Sequence, residues 1–131
     1  MAFEITWEPR GVYKHFHGFV SYEEYARSQA LVLGDARADD IRYVINDARE
    51  IEGYTGSQDQ AEELAAFNYA SSRSNPRIRI AYVTSDLRLI ALLKVASLIS
   101  SYELAHFPTL EAARAWAMKG TALPDSQGHP A

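Results

Sequence analysis

Ile41-Arg42-Tyr43-Val44-Ile45-Asn46-Asp47 is nearly continuous in apolar character, and a loop rich in Gly, Thr and Ser follows it. An apolar run of this length with turn residues behind it reads as a strand covered on both faces, which is the signature of a parallel sheet between helices. The strand is expected over 41–46, the loop over 47–57, and a helix from about Ser57. Asn46 and Asp47 would then stand at the C-terminal end of a central strand, the edge where open α/β sheets hold their ligands.

The elements on either side fit the same class. Phe3, Ile5 and Trp7 alternate with Glu4, Thr6 and Glu8, the period of a half-buried strand. Pro9-Arg10-Gly11 is turn chemistry, and Val12 to Val20 is a second β-rich run, so the chain opens with a hairpin. Ser21 and Glu24 have capping-box spacing and Gly34 follows, which predicts a first helix over 22–33 with Tyr22, Tyr25, Ala26, Gln29 and Leu33 inward. Further helices are expected over about 58–73, from Ser85-Asp86 to about Ser100, and from Pro108-Thr109 onward. Strands are expected around Ile78–Val83 and Tyr102–Phe107. The order is β-β-α-β-α-β-α-β-α: an α/β domain with a mostly parallel sheet of about five strands and one antiparallel hairpin. Residues 1–119 read as one domain and 120–131, with two prolines and a glycine, as a flexible tail.

Composition narrows the function classes. The 131 residues are 47% hydrophobic and 23% charged, enough to bury one ordinary core. A net charge of −4 argues against nucleic acid as a partner, because phosphate binding needs a basic face. Cysteine is absent, which removes disulfides, thiolate nucleophiles and cysteine zinc sites and suits a reducing cytoplasm. No basic segment followed by an apolar run opens the chain, and Leu87 to Ile99 is too short and too charged to span a bilayer. The expectation is a cytoplasmic domain of bacterial type with no cofactor.

Several stretches together resemble one known family. They are Gly18 before Ser21-Tyr22-Glu23-Glu24, the strand Tyr43-Val44-Ile45-Asn46-Asp47, Arg79-Ile80-Ala81-Tyr82-Val83, and the ending from His106-Phe107-Pro108 to Trp116. Over about residues 3–119 the chain resembles the small STAS-like, SpoIIAA-like domains, which are related to anti-anti-sigma factors and grouped with lipid-binding CRAL-TRIO-type modules. The resemblance implies the fold and little else, since most members of the family have no assigned activity. In anti-anti-sigma factors an Asp ends the central strand and a phosphorylated Ser starts the next helix. Asp47 matches the first position. Ser57, with Thr55 second, is the nearest counterpart of the other, although Gly53-Tyr54-Thr55-Gly56-Ser57-Gln58 replaces the compact Asp-Ser-Ser-Gly segment.

The residues themselves carry both plain and functional readings. Ser57 suits a helix cap, and a phosphate there would meet the helix dipole favourably. Asp47 with Asn46 and Arg49 could form a small polar ligand site or an Asx-turn. His15 and His17, two apart in a strand, share a face and offer two imidazoles, yet a metal needs a further ligand from His106 or a carboxylate, so rim histidines are the favoured reading. Arg73, Arg77 and Arg79 form a basic patch expected at a solvated helix end. No nucleophile elbow, phosphate loop or dinucleotide fingerprint occurs.

The third helix is the more suggestive element. Leu87, Leu89, Ile90, Leu92, Leu93, Val95, Leu98 and Ile99 leave it almost no polar face, whereas a surface helix carries one apolar stripe. The favoured reading is a homodimer contact, ahead of burial under neighbouring loops and of a lipid-like ligand, and the residues of such an interface or apolar pocket would be Leu89, Leu92, Leu93, Ala96 and Ile99. The chain is therefore expected to be a non-enzymatic binding or regulatory module acting through protein contacts. A carrier for a small apolar, lipid-like ligand is the first alternative and predicts a cavity lined by Leu89, Leu92, Leu93 and Phe67. An enzyme pairing Asp47 with a histidine is the second.

Overall fold

The computed structural model describes residues 2–71, 73, 75, 77–99 and 102–119. Five strands and four α-helices follow in the expected order: β1 (Phe3–Glu8), β2 (Gly11–Val20), α1 (Tyr22–Leu33), β3 (Tyr43–Tyr54), α2 (Gln58–Ser71), β4 (Arg79–Val83), α3 (Leu87–Ile99), β5 (Glu103–Phe107) and α4 (Leu110–Ala117). A short 3-10 turn over Ala36–Asp40 joins α1 to β3. The expected tail, 120–131, lies outside the described residues.

The sheet runs β1-β2-β3-β4-β5, with β1 antiparallel to β2 and every later pair parallel. Because each parallel strand is added on the same side of the last, right-handed crossovers put α1, α2 and α3 on one face. Val32, Leu64 and Leu93 accordingly share a core with Val12, Val44 and Ile80. The last helix, α4, covers the other face, where Ala113 and Ala117 meet Tyr43, Ile45, Ala81 and Val83. Arg114 fastens it by donating to both Glu8 carboxylate oxygens at 3.0 and 2.8 Å, and the Tyr43 hydroxyl donates to the same carboxylate at 2.5 Å. The tight turn into β2 needs Gly11, since a Cβ there would lie 2.3 Å from the Tyr43 ring.

Two expectations are corrected. Residues 47–54 are strand rather than loop: β3 continues to Tyr54, and beyond Asp47 it pairs with β2 alone, because β4 ends at Val83 opposite Asp47. Register shifts at His15/His17 and Gly18/Phe19 absorb the extra residues of β3. Arg49, Glu50 and Glu52 are exposed there, and this solvated face gave the stretch its loop-like composition. The sheet order also never reverses, so β3 borders no switch-point crevice.

All five residues expected on the inner face of α1 lie inward, Tyr25 and Gln29 buried and Tyr22, Ala26 and Leu33 half-buried against the core, and Ser28 and Val32 are buried with them. Ser28 and Gln29 turn inward because a buried lysine of β2 bonds to both.

Candidate functional site

Asn46 and Asp47 are neighbours in the middle of β3, so their side chains leave the sheet on opposite faces. Asp47 goes to the α4 side. It is 1% exposed and accepts from the Tyr13 hydroxyl at 2.5 Å, from Arg49 Nε and Nη2 at 2.9 and 2.8 Å, and from the Arg49 amide at 3.2 Å. Burial pushes its carboxyl up, and the hydrogen bonds from Arg49 and Tyr13 outweigh that and hold it below the ordinary carboxylate value. Burial and the Asp47 carboxylate together push the Tyr13 hydroxyl up to about 12. Asp47 is thus bonded to a tyrosine and an arginine, and not to a histidine as the enzyme reading requires.

Asn46 goes to the three-helix face. In the ladder it stands between Lys14 and Tyr82, which makes a polar row across β2, β3 and β4 at the centre of the sheet. Lys14 is completely buried, and its Nζ donates to Ser28 Oγ at 3.0 Å and to Gln29 Oε1. Desolvation holds its amine well below the ordinary lysine value. The Tyr82 hydroxyl bonds the Tyr25 hydroxyl, and burial raises both well above the usual tyrosine value. Asn46 is 1% exposed, and neither its Oδ1 nor its Nδ2 has a hydrogen-bond partner among the described residues.

Asn46 lines a partly enclosed cavity of about 60 Å³. Phe16 and Tyr82 of the sheet form the floor beside it, Tyr25 of α1 and Leu64 of α2 form walls, and Leu89, Leu92, Leu93 and Ala96 of α3 form the roof. Leu89, Leu92 and Leu93, expected to line a cavity under the carrier reading, stand in this wall. Phe67 is not in its wall but 43% exposed, and Ile99, at 40%, lies outside it too. α3 resolves into two sides: Leu93 is buried toward the cavity, whereas Leu87 and Leu98 are 81% and 86% exposed.

Ser57 opens α2. Its Oγ accepts from the Gln60 amide at 3.2 Å and its own amide donates to Gln60 Oε1 at 3.0 Å, a reciprocal capping pair. Thr55 is exposed, with its amide donating to Val20 O at 3.1 Å. Gly56 and Ser57 face Arg88, Ala91 and Val95 across a surface groove whose wall also includes Leu92. Ser57 thus lies beside α3, away from the Asp47–Arg49 pair.

The remaining candidates are occupied by protein partners. His15 bonds Glu4 at 3.2 Å and Glu50 at 2.8 Å, and His17 bonds Glu4 at 2.9 Å, all on an exposed face. The Glu4 hydrogen bond is the main cause that raises His15, and the two histidines lower Glu4 in return. Among the described residues no group of three or more His, Asp or Glu could hold a metal ion, and no helix is long and apolar enough to cross a membrane. Arg79 bonds Glu103 at 3.1 Å and the carbonyls of Trp116 and Lys119 at 3.0 Å, closing the C-terminal end of α4. Lys14 was missed from the sequence. Its signal was there, since it shares strand parity with the core residues Val12 and Phe16.

No family model and no curated protein sequence matches the chain. Solved structures do. The anti-sigma factor antagonist SpoIIAA in its unphosphorylated form superposes with a TM-score of 0.64 at 9% identity, over 91% of this chain and 99% of that one. The fold is SpoIIAA-like. An uncharacterised DUF3478-family protein with a SpoIIAA-like fold from Shewanella loihica PV-4 matches at 0.55, and an anti-sigma factor antagonist from Mycobacterium paratuberculosis at 0.54. Each of these two is 16% identical over 88% of this chain and 92% of its own. A mixed five-stranded sheet with four helices is the STAS-like architecture anticipated from the sequence.

Proposed function

We propose that the chain is a non-enzymatic regulatory module of the bacterial cytoplasm that works through protein contacts, and that its contact surface is the outer side of α3 beside the N-terminus of α2. The observation that carries this reading is the exposure of Leu87 and Leu98, 81% and 86%, on one helix stripe with Ala91 and Lys94. Clustered exposed leucines on a small domain mark association sites. The SpoIIAA-like fold supports the regulatory class, since two proteins that share it are anti-sigma factor antagonists.

The first partner is a second copy of the chain. In a two-fold antiparallel pairing of α3, Leu87 meets Leu98 of the other copy and Ala91 meets Lys94, so neither lysine faces its twin. Thr55 and Ser57 border this surface, which makes them the positions where a modification would alter the contact. The test is the native mass of the untagged protein and of Leu98→Glu. A dimer for the wild type and a folded monomer for the variant are expected. A wild type that stays monomeric removes the second copy as partner, and a dimer that survives Leu98→Glu moves the interface elsewhere.

A further inference from the structure

The buried polar groups beside Asn46 in the sheet and on α1 have partners among the described residues. Lys14 bonds Ser28 and Gln29, and Tyr25 and Tyr82 bond each other. Asn46, 1% exposed beside them, lines the cavity, and neither its carbonyl nor its NH₂ group has a hydrogen-bond partner among the described residues. Native proteins satisfy nearly all such groups, so a buried carboxamide left open signals a missing component. An apolar residue would fill position 46 without that cost.

We propose that this cavity binds a small neutral molecule with an apolar body and a head that carries a hydrogen-bond donor and acceptor side by side: an amide, a lactam or an undissociated carboxyl group. The head follows from Asn46, whose Oδ1 accepts and whose Nδ2 donates along one edge. The body follows from the wall, which around Asn46 is aliphatic or aromatic (Phe16, Leu64, Leu89, Leu93). The neutrality follows from the same wall, because an ionised head would be buried with no countercharge lining the cavity. A volume of about 60 Å³ takes roughly four waters, less than half of the about 150 Å³ that holds benzene in an engineered apolar cavity, so it encloses the head and the first carbons while the rest of the body extends through the cavity's open side. This site lies on the inner side of α3 and does not depend on the protein contact proposed for the outer side.

The experiment is an amide and methyl NMR titration with three probes of similar bulk: benzamide, toluene and benzoate at neutral pH. Benzamide is expected to shift the Asn46 side-chain NH₂ pair and the methyls of Leu89 and Leu93, and to bind at least tenfold more tightly than toluene or benzoate. In Asn46→Leu the advantage over toluene should vanish. Ala96→Phe, which fills the cavity and leaves Asn46 in place, should weaken benzamide at least tenfold and provides a second variant if the first fails to fold. Equal binding of benzamide and toluene by the wild type overturns the proposal. So does an unchanged benzamide affinity in a folded variant. Failure of every probe to bind overturns it as well, and assigns the cavity to water alone.

Discussion

Lys14 gives the sharpest test of the buried row. Its amine is fully buried, is bonded to the neutral acceptors Ser28 Oγ and Gln29 Oε1, and lies 5.7 and 5.2 Å from the ring centres of Phe16 and Tyr25. No carboxylate appears among these contacts, so desolvation dominates and the fold favours the uncharged amine. The unfolded chain holds that proton up to about pH 10.4. Between the lowered folded value and that limit the unfolded state binds more protons, so stability rises with pH. Where Lys14 is neutral in the fold, the slope it contributes is about 1.4 kcal/mol per pH unit. Over two pH units in which Lys14 stays neutral in the fold this amounts to about 2.7 kcal/mol. The assay is urea denaturation of the wild type and Lys14→Met at half-unit steps from pH 7 to 9.5, below the range where tyrosines titrate. The wild-type curve should climb relative to the variant. Parallel curves would refute the reasoning, because Lys14 would then be charged in the folded state.

Three further outcomes follow from local bonding. Ser57→Ala removes the acceptor of the Gln60 amide and should cost about 1 kcal/mol in chemical denaturation, while Ser57→Asp retains the cap; equal stability of all three proteins would show that the capping pair is idle. Arg49→Ala leaves the buried Asp47 carboxylate with Tyr13 and its backbone bond, at an expected cost of about 1 kcal/mol, the low end for a charged hydrogen bond because Arg49 is 46% exposed and already part-solvated. Asp47 is lowered in the fold, so its stabilisation is complete above the ordinary carboxylate range and is lost as pH falls through the folded value. Asp47→Asn should flatten the acid limb of the stability curve, and an unchanged limb would remove Asp47 as its source.

The architecture was legible because it rests on periodicity and punctuation. Ser21, Glu24 and Gly34 fix α1 to the residue, and the same capping box appears in the structure. Alternation in Phe3–Glu8 and the apolar run at Tyr43–Ile45 fix the strands. What escaped depends on contacts distant in sequence. The extension of β3 to Tyr54 is set by the length of β2, because composition alone does not show which neighbour will supply hydrogen bonds. The polar pair Asn46-Asp47 read as one site because it is adjacent in sequence, whereas the two-residue period of a strand sends the pair to opposite faces. Applying that period to Val44, Asn46, Val12 and Lys14 would have placed both polar residues in the core.

The difference between Lys14 and Asn46 lies in the helices above them. Polar side chains of α1, namely Tyr25, Ser28 and Gln29, answer Lys14 and Tyr82. Over Asn46, α2 and α3 present Ala61, Leu64, Leu89 and Leu93, and none of these can donate or accept. A chain selected for stability alone would place an apolar residue at 46 or a polar one on α2 or α3. This chain does neither, and it also leaves Leu87 and Leu98 in water on the far side of the same helix. The two costs fall on opposite sides of α3, so the proposals they support stand or fall separately. Leu98→Glu changes the outer surface without touching the cavity wall, and Asn46→Leu changes the wall without touching the surface. Should either variant alter both mass and probe binding, the two sites are coupled through α3, and linkage requires that the coupling be equal in both directions.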